Sequence, residues 1–186
     1  MDIRSSAGAA ELSDPVTDKD HASGPADAPI TIVEYGDYEC PDCLNAVPII
    51  EQVRRALGDR LRFVFRHFPQ SGIHPHASAA AEAAESAGEQ GKFWEMHAAL
   101  FAHQKELGEL DLSHLALTLG LEIYKFESGR TSERHRRRIE SDYQSGIRSG
   151  VKGTPTLFIN GAQYTGRVEA EAILKRVEQF KEPRTK

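Results

Sequence analysis

Cys40 and Cys43 are the only cysteines in the chain, and they stand two residues apart where a strand-like segment gives way to a helix-like one. That junction constrains the fold more than any other feature. Upstream, Ile30-Thr31-Ile32-Val33-Glu34-Tyr35 is β-branched and mostly apolar, the pattern of a strand buried on both faces of a sheet. Gly36-Asp37-Tyr38-Glu39 interrupts it. Downstream, Pro41 suits a first helical position, Leu44, Val47, Ile50 and Leu57 recur at helical spacing, and Gly58 suits the helix end. Pro48 inside this helix removes one backbone donor and predicts a kink. Leu61 to Phe68, ended by Pro69, then reads as a second strand, parallel to the first because a helix joins them. The three elements form a βαβ unit.

The rest of the chain divides by pattern. Residues 75–150 read as a helical insertion: an Ala-rich stretch from Ala77 to Ala87, Phe93 to Phe101, Leu112 to Leu119, and a long helix capped near Thr131 or Ser132 that carries Ile139, Tyr143 and Ile147 on one face and stops at Gly150. Thr156 to Ile159, the Asn160-Gly161 turn and Gln163 to Thr165 form a hairpin, followed by an amphipathic helix with Val168, Ile173, Leu174, Val177 and Phe180. The expected class is therefore α/β: residues 1–28 as a mobile arm rich in Ser, Ala, Asp, Gly and Pro, 29–74 and 151–182 as two halves of one core, and 75–150 inserted between them.

Composition narrows the function. At 186 residues the chain suits one domain with a substantial core, and a formal net charge of -5 argues against a nucleic-acid binder. No run approaches the roughly 18 apolar residues of a membrane span. Without an apolar stretch in residues 1–28 the expectation is a cytoplasmic protein, or an extracytoplasmic one if a leader has been removed. A monomer is expected.

Two thiols at i and i+3 at a helix start can close a small disulfide ring. The first lies where unpaired backbone N–H groups and the helix dipole favour an anion, so Cys40 is the expected nucleophile, accessible and acidic. Cys43, one turn inward, is expected to be shielded and to resolve a mixed disulfide. The pair needs no further cofactor for this chemistry. Half of a zinc site has the same spacing, so a module binding zinc or Cu(I) through the cysteine pair is the alternative, separable by metal content. A third reading, a chaperone-like interaction domain, predicts that Cys40→Ser changes nothing.

Several segments together carry a family resemblance. Gly24-Pro25-Ala26-Asp27-Ala28-Pro29, Val33 to Cys43, Gly91-Lys92-Phe93-Trp94, and Val151-Lys152-Gly153-Thr154-Pro155-Thr156 with Asn160-Gly161 resemble the DsbA-like branch of the thioredoxin superfamily. The resemblance implies a thioredoxin-like fold with an inserted helical subdomain, and disulfide exchange with protein substrates and an unknown redox partner. It also implies a cis Pro155 beside Cys40. Thr154 and Gly153 would then offer main chain to an extended substrate, as an added strand. This chain departs from the best-known oxidants of that branch at Asp42, where they carry a histidine; Pro41 and Asp42 are thus tuning positions. The Asp42 charge, with Glu39 and Asp37, is expected to disfavour the Cys40 thiolate and give a comparatively reducing couple. Glu34 is a candidate buried acid passing a proton to or from Cys43, against a carboxylate facing solvent or paired with an Arg.

Other candidates carry less. His67, His74 and His76 follow the second strand, but their spacing fits no zinc-finger pattern, and capping or surface packing is the expectation. Arg134, Arg136, Arg137 and Arg138 alternate with Glu133, Glu140 and Asp142, as on a solvated helix face. Phe93, Trp94, Met96 and Phe101 read as core of the insertion rather than as a peptide groove.

Overall fold

The structure, a computed structural model, describes residues 10–180. A five-stranded mixed sheet lies between helices. Strand β1 (His21–Ser23) opens the order, then β2 (Ile30–Gly36), helix α1 (Pro41–Leu57) and β3 (Leu61–His67). Five helices follow: α2 (Ala77–Gly88), α3 (Phe93–Ala102), α4 (Glu109–Thr118), α5 (Ile123–Arg130) and α6 (Glu133–Arg148). The chain returns through β4 (Thr156–Ile159) and β5 (Ala162–Gln163) and ends in α7 (Ala170–Val177). The spatial order is β1-β3-β2-β4-β5, with β2 and β3 parallel and the other pairs antiparallel.

The βαβ unit forms because its central strands bury both faces. Alternate residues of β2 feed two cores: Ile30 and Ile32 face the cluster containing Phe63, Phe65 and the inner sides of α1 and α3, while Val33 and Tyr35 join Val64, Phe68 and Phe158 on the other side. Each fully buried side chain of this size contributes about 1.5–3 kcal/mol. By the same alternation Glu34 falls on the first face, the one that also holds both cysteines. At the β4–β5 turn Asn160 and Gly161 both take positive φ (47° and 83°), the backbone a tight hairpin demands. The β5 strand is shorter than expected.

The expected mobile arm needs correction. Residues 1–9 of it lie outside the described residues, but the remainder is built into the sheet. Leu12 N–H donates to Gly161 O and Gln163 N–H to Ala10 O, both at 2.8 Å, extending the sheet beyond β5, and β1 pairs along β3. Asp20 anchors the segment through a buried pair with Arg66 (Oδ1 to Nε, 2.8 Å). The segment thus adds β1 at one side of the sheet and a short bridge at the other. Composition had suggested mobility because polar partners supplied from 40–150 residues away are invisible locally.

Helix α1 runs unbroken through Pro48, which faces solvent. Two further expectations change. The α5 helix was not anticipated. On α6 the inward stripe is His135, Ile139, Asp142 and Gly146 rather than Ile139, Tyr143 and Ile147: Ile147 is exposed, while Phe68 stacks on Tyr143 at 4.5 Å and presses against Gly146. Phe93, Met96 and Phe101 are buried in the insertion core, with Trp94 packed against it.

Candidate active site

Cys40 is the N-cap of α1, with Pro41 at the first helical position. The missing Pro41 N–H is no loss there, because first-turn donors have no helical partner. Cys43 is fully buried and Cys40 is 6% exposed; both are unbonded thiols. Cys40 is thus less accessible than expected. It is overlaid by the loop before β4: its S–H donates to Thr154 O at 3.3 Å. Register explains the approach. Tyr35 pairs with Thr156, so Thr154 and Pro155 run past the end of β2, where the cysteine loop begins. The Thr154–Pro155 peptide is cis. Gly153, Thr154 and Pro155 are half-buried and, with Lys152, Thr156 and Gln163, line an open groove of about 530 Å³.

The two thiols titrate far apart. The hydrogen bond from Cys43 pulls the Cys40 pKa down; burial opposes it, but the Thr154 side chain and the backbone N–H groups of Cys43 and Asp42 add to it, and the thiol reaches about 5. Cys43 is pushed far above the ordinary range, first by burial, then by its bond to Cys40 and by Glu34. The Asp42 side chain points into solvent, where its charge is screened, while its backbone N–H helps hold the thiolate.

Beneath the pair, Glu34 is 5% exposed, and burial followed by the Cys40 charge raises its pKa to about 8. Of the readings offered for this residue, a solvent-facing carboxylate is excluded. It is a buried acid that is largely protonated at neutral pH.

The sequence missed two residues at this site and the role of a third. Gln104, from the insertion, donates to Tyr38 O (2.9 Å) and Cys40 O (2.8 Å). Gln70 Nε2 donates to Thr154 Oγ1 at 2.8 Å. Asp37, expected only as a nearby charge, is buried under the loop, with His74 Nδ1 2.7 Å from its Oδ2. The available signal was position: Gln70 and His74 follow the carboxyl end of a parallel strand, where α/β sheets place their sites.

A family model described as Thioredoxin matches residues 16–179. The chain belongs to the thioredoxin family. Among solved structures, this thioredoxin-family chain is similar to oxidised BdbD from Bacillus subtilis, with a TM-score of 0.79 at 24% identity over 93% of this chain and 98% of that one; the likeness is one of fold. A thioredoxin-like oxidoreductase from Silicibacter pomeroyi superposes with a TM-score of 0.77 at 25% identity, covering 85% and 90%. DsbA-type proteins are among the structural neighbours, including alpha-DsbA2 of Wolbachia pipientis, described as a thiol-disulfide exchange protein (TM-score 0.75, 20% identity, 85% of each chain). Together with the family model these show a thioredoxin-like fold of the kind that DsbA-type proteins share.

Curated relatives carry another name. A Na(+)/H(+) antiporter NhaA 1 of Salinispora arenicola is 47% identical over 158 residues, 84% of this chain and 24% of the relative. One of Nitrosospira multiformis is 44% identical over 165 residues, 87% of this chain and 26% of the relative. The thioredoxin-family chain thus spans about a quarter of these proteins' length. Among the described residues no helix is long and apolar enough to cross a membrane.

Among the described residues none of the remaining candidates is hydrogen-bonded to a cysteine. His76 is bonded to Glu39 (Nδ1 to Oε1, 2.9 Å), and His67 Nε2 lies 3.0 Å from Glu85. Among the described residues, the one group of three converging metal-ligand side chains is His21, His67 and Glu85, and it includes neither cysteine. Arg134, Arg136 and Arg137 pair with Glu89, Glu82 and Glu133 respectively; Arg138, the least exposed, faces Glu85 and Asp142.

Proposed function

We propose that this chain exchanges disulfides with protein substrates through Cys40-Pro41-Asp42-Cys43. The observation that carries the reading is the asymmetry of the pair: a Cys40 held near pKa 5 at a helix amino end, and a Cys43 sealed beneath it. In the oxidising direction a substrate thiolate attacks Cys40 Sγ of the Cys40–Cys43 disulfide, forming a mixed disulfide and releasing Cys43. A second substrate thiolate then attacks the substrate sulfur, and Cys40 departs as thiolate with the electron pair. The substrate loses two electrons and the cysteine pair gains them. A leaving group of low pKa departs readily. Glu34 supplies the proton that Cys43 takes on release, being the buried acid on that side of the sheet. Thr154, Gly153 and the cis Pro155 present main chain along the groove for the substrate segment.

A stabilised thiolate stabilises the reduced form and moves the couple toward the oxidising side, while Asp42 in place of a histidine holds it short of the strongest oxidants. Such an oxidant works where thiols are not kept reduced, outside the cytosol. The test is Cys43→Ser, which should accumulate covalent, reductant-sensitive adducts through Cys40, and Cys40→Ser, which should abolish exchange. Activity surviving Cys40→Ser would end the proposal.

A second reading concerns partners. The domain's likeness to a quarter of proteins named as Na(+)/H(+) antiporters favours a membrane transporter as the client whose cysteines it oxidises or reduces. Transport by such a client should differ between the oxidised and reduced states of this domain. Identical transport in both states would sink the pairing.

A further inference from the structure

The turn that follows β3 packs against the cysteine loop through one carboxylate. The Asp37 side chain has 0% exposure. Its Oδ1 accepts the Glu39 N–H at 2.8 Å, and its Oδ2 accepts the Gln70 N–H at 2.8 Å and faces His74 Nδ1 at 2.7 Å. The Asp37 backbone meets both cysteines: its N–H donates to Cys43 Sγ at 3.5 Å, and its carbonyl accepts the Cys40 N–H at 3.2 Å. One residue therefore joins His74 to the redox pair.

A buried carboxylate needs hydrogen-bond donors and a nearby cation to offset its burial. Among the described residues, His74 is the one cationic side chain in contact with it. The side chain of His74 is 15% exposed, so its charge acts through protein more than through solvent. Burial alone would lower the His74 pKa; the Asp37 hydrogen bond and charge outweigh it, the Cys40 and Glu39 charges add, and the net direction is upward. Other charges nearby are engaged or screened. Glu39 is bonded to His76 through both side chain and backbone N–H, and Asp42 lies in solvent.

We propose that His74, clamped by Asp37, is a positioning residue that supplies the cysteine pair with the positive charge its own motif lacks, stabilising the Cys40 thiolate. Asp42 stands between the cysteines, so no cation comes from within the motif. The link comes from the turn after β3 instead: His74 bonds the Asp37 carboxylate, and the Asp37 backbone bonds both cysteines. This rests on the thiol-exchange reading, whose failure shows separately in the Cys40→Ser and Cys43→Ser experiments.

Linkage makes the effect reciprocal. When the disulfide is reduced, two electrons enter, Cys43 takes one proton and Cys40 remains a thiolate. That new negative charge makes His74 bind its proton more tightly. Between the two His74 midpoints the imidazole therefore takes up a further fraction of a proton on reduction, beside that taken up by Glu34, which feels the same Cys40 charge.

The test uses the full chain. In the wild type, NMR titration of the His74 ring should give a higher midpoint in the reduced protein than in the oxidised one; the same midpoint in both overturns the proposal without recourse to any variant. His74→Gln should raise the Cys40 midpoint, read from thiolate absorbance against pH, by about half to one pH unit. The equilibrium with a glutathione redox buffer should move about three- to tenfold toward the disulfide. His74→Lys, which keeps the charge, should recover most of both shifts. A His74→Gln protein with an unchanged Cys40 midpoint refutes the proposal, as does a shift that His74→Lys fails to reverse, because that pattern belongs to lost packing alone.

Discussion

Replacing Glu34 by glutamine tests the buried acid beneath the cysteines. The carboxyl moves from an ordinary 4.5 to about 8 in the folded protein, first because it is desolvated and second because of the Cys40 charge. A folded pKa above the unfolded one means that the native state binds the proton more tightly. The protein is then unpenalised below pH 4.5 and loses stability as pH climbs toward 8, at ~1.4 kcal/mol per pH unit. By pH 7 the accumulated loss is about 3 kcal/mol, and above pH 9 it levels off at about 5 kcal/mol. Glutamine has nearly the same shape and never ionises, so Glu34→Gln removes this loss. The variant should match the wild type near pH 4 and exceed it by about 3 kcal/mol at pH 7, a gain of roughly 6–12 °C in Tm for a domain of this size. Urea unfolding at pH 4.5, 7 and 8.5, with equal m values, reads the difference directly. It should be smaller in the oxidised protein, which has no Cys40 thiolate. Parallel stability curves for variant and wild type across this range, or a variant less stable at pH 7, would refute the reasoning.

Other predictions concern the thiol and the packing. Alkylation of reduced protein should rise with a midpoint near pH 5 rather than 9; Cys43→Ala should move that midpoint upward and Asp42→Asn should leave it nearly in place. Asp20→Asn should destabilise by about 3–5 kcal/mol, measured by denaturant unfolding, because Arg66 is left buried without its counterion. Gly146→Ala places a Cβ 2.7 Å from the Phe68 ring and should cost about 1–3 kcal/mol by the same assay, whereas Gly153→Ala meets nothing and should cost far less.

What the chain's own pattern determined is the part governed by local rules. The apolar Ile30–Tyr35 run, the proline after Cys40, the helical spacing beyond it and the Asn160-Gly161 turn each dictate a backbone conformation within a few residues. From these the strand–cysteine–helix junction, the parallel β2–β3 pair and the hairpin were legible. What the tertiary structure alone decided is which polar groups leave water. Residues 10–28 look mobile in composition yet pair at both sides of the sheet, since Arg66 and Gly161 supply their partners from distant sequence. Asp37, Gln70, His74 and Gln104 are ordinary polar residues until packing removes their solvent and turns them toward one loop. The acidity of Cys40 has the same origin: its hydrogen-bond partners include Cys43, three residues on, and Thr154, in a segment 114 residues away. Local periodicity can place a sulfur at a helix end, but its charge is set by every dipole within reach, and only the folded chain brings those together.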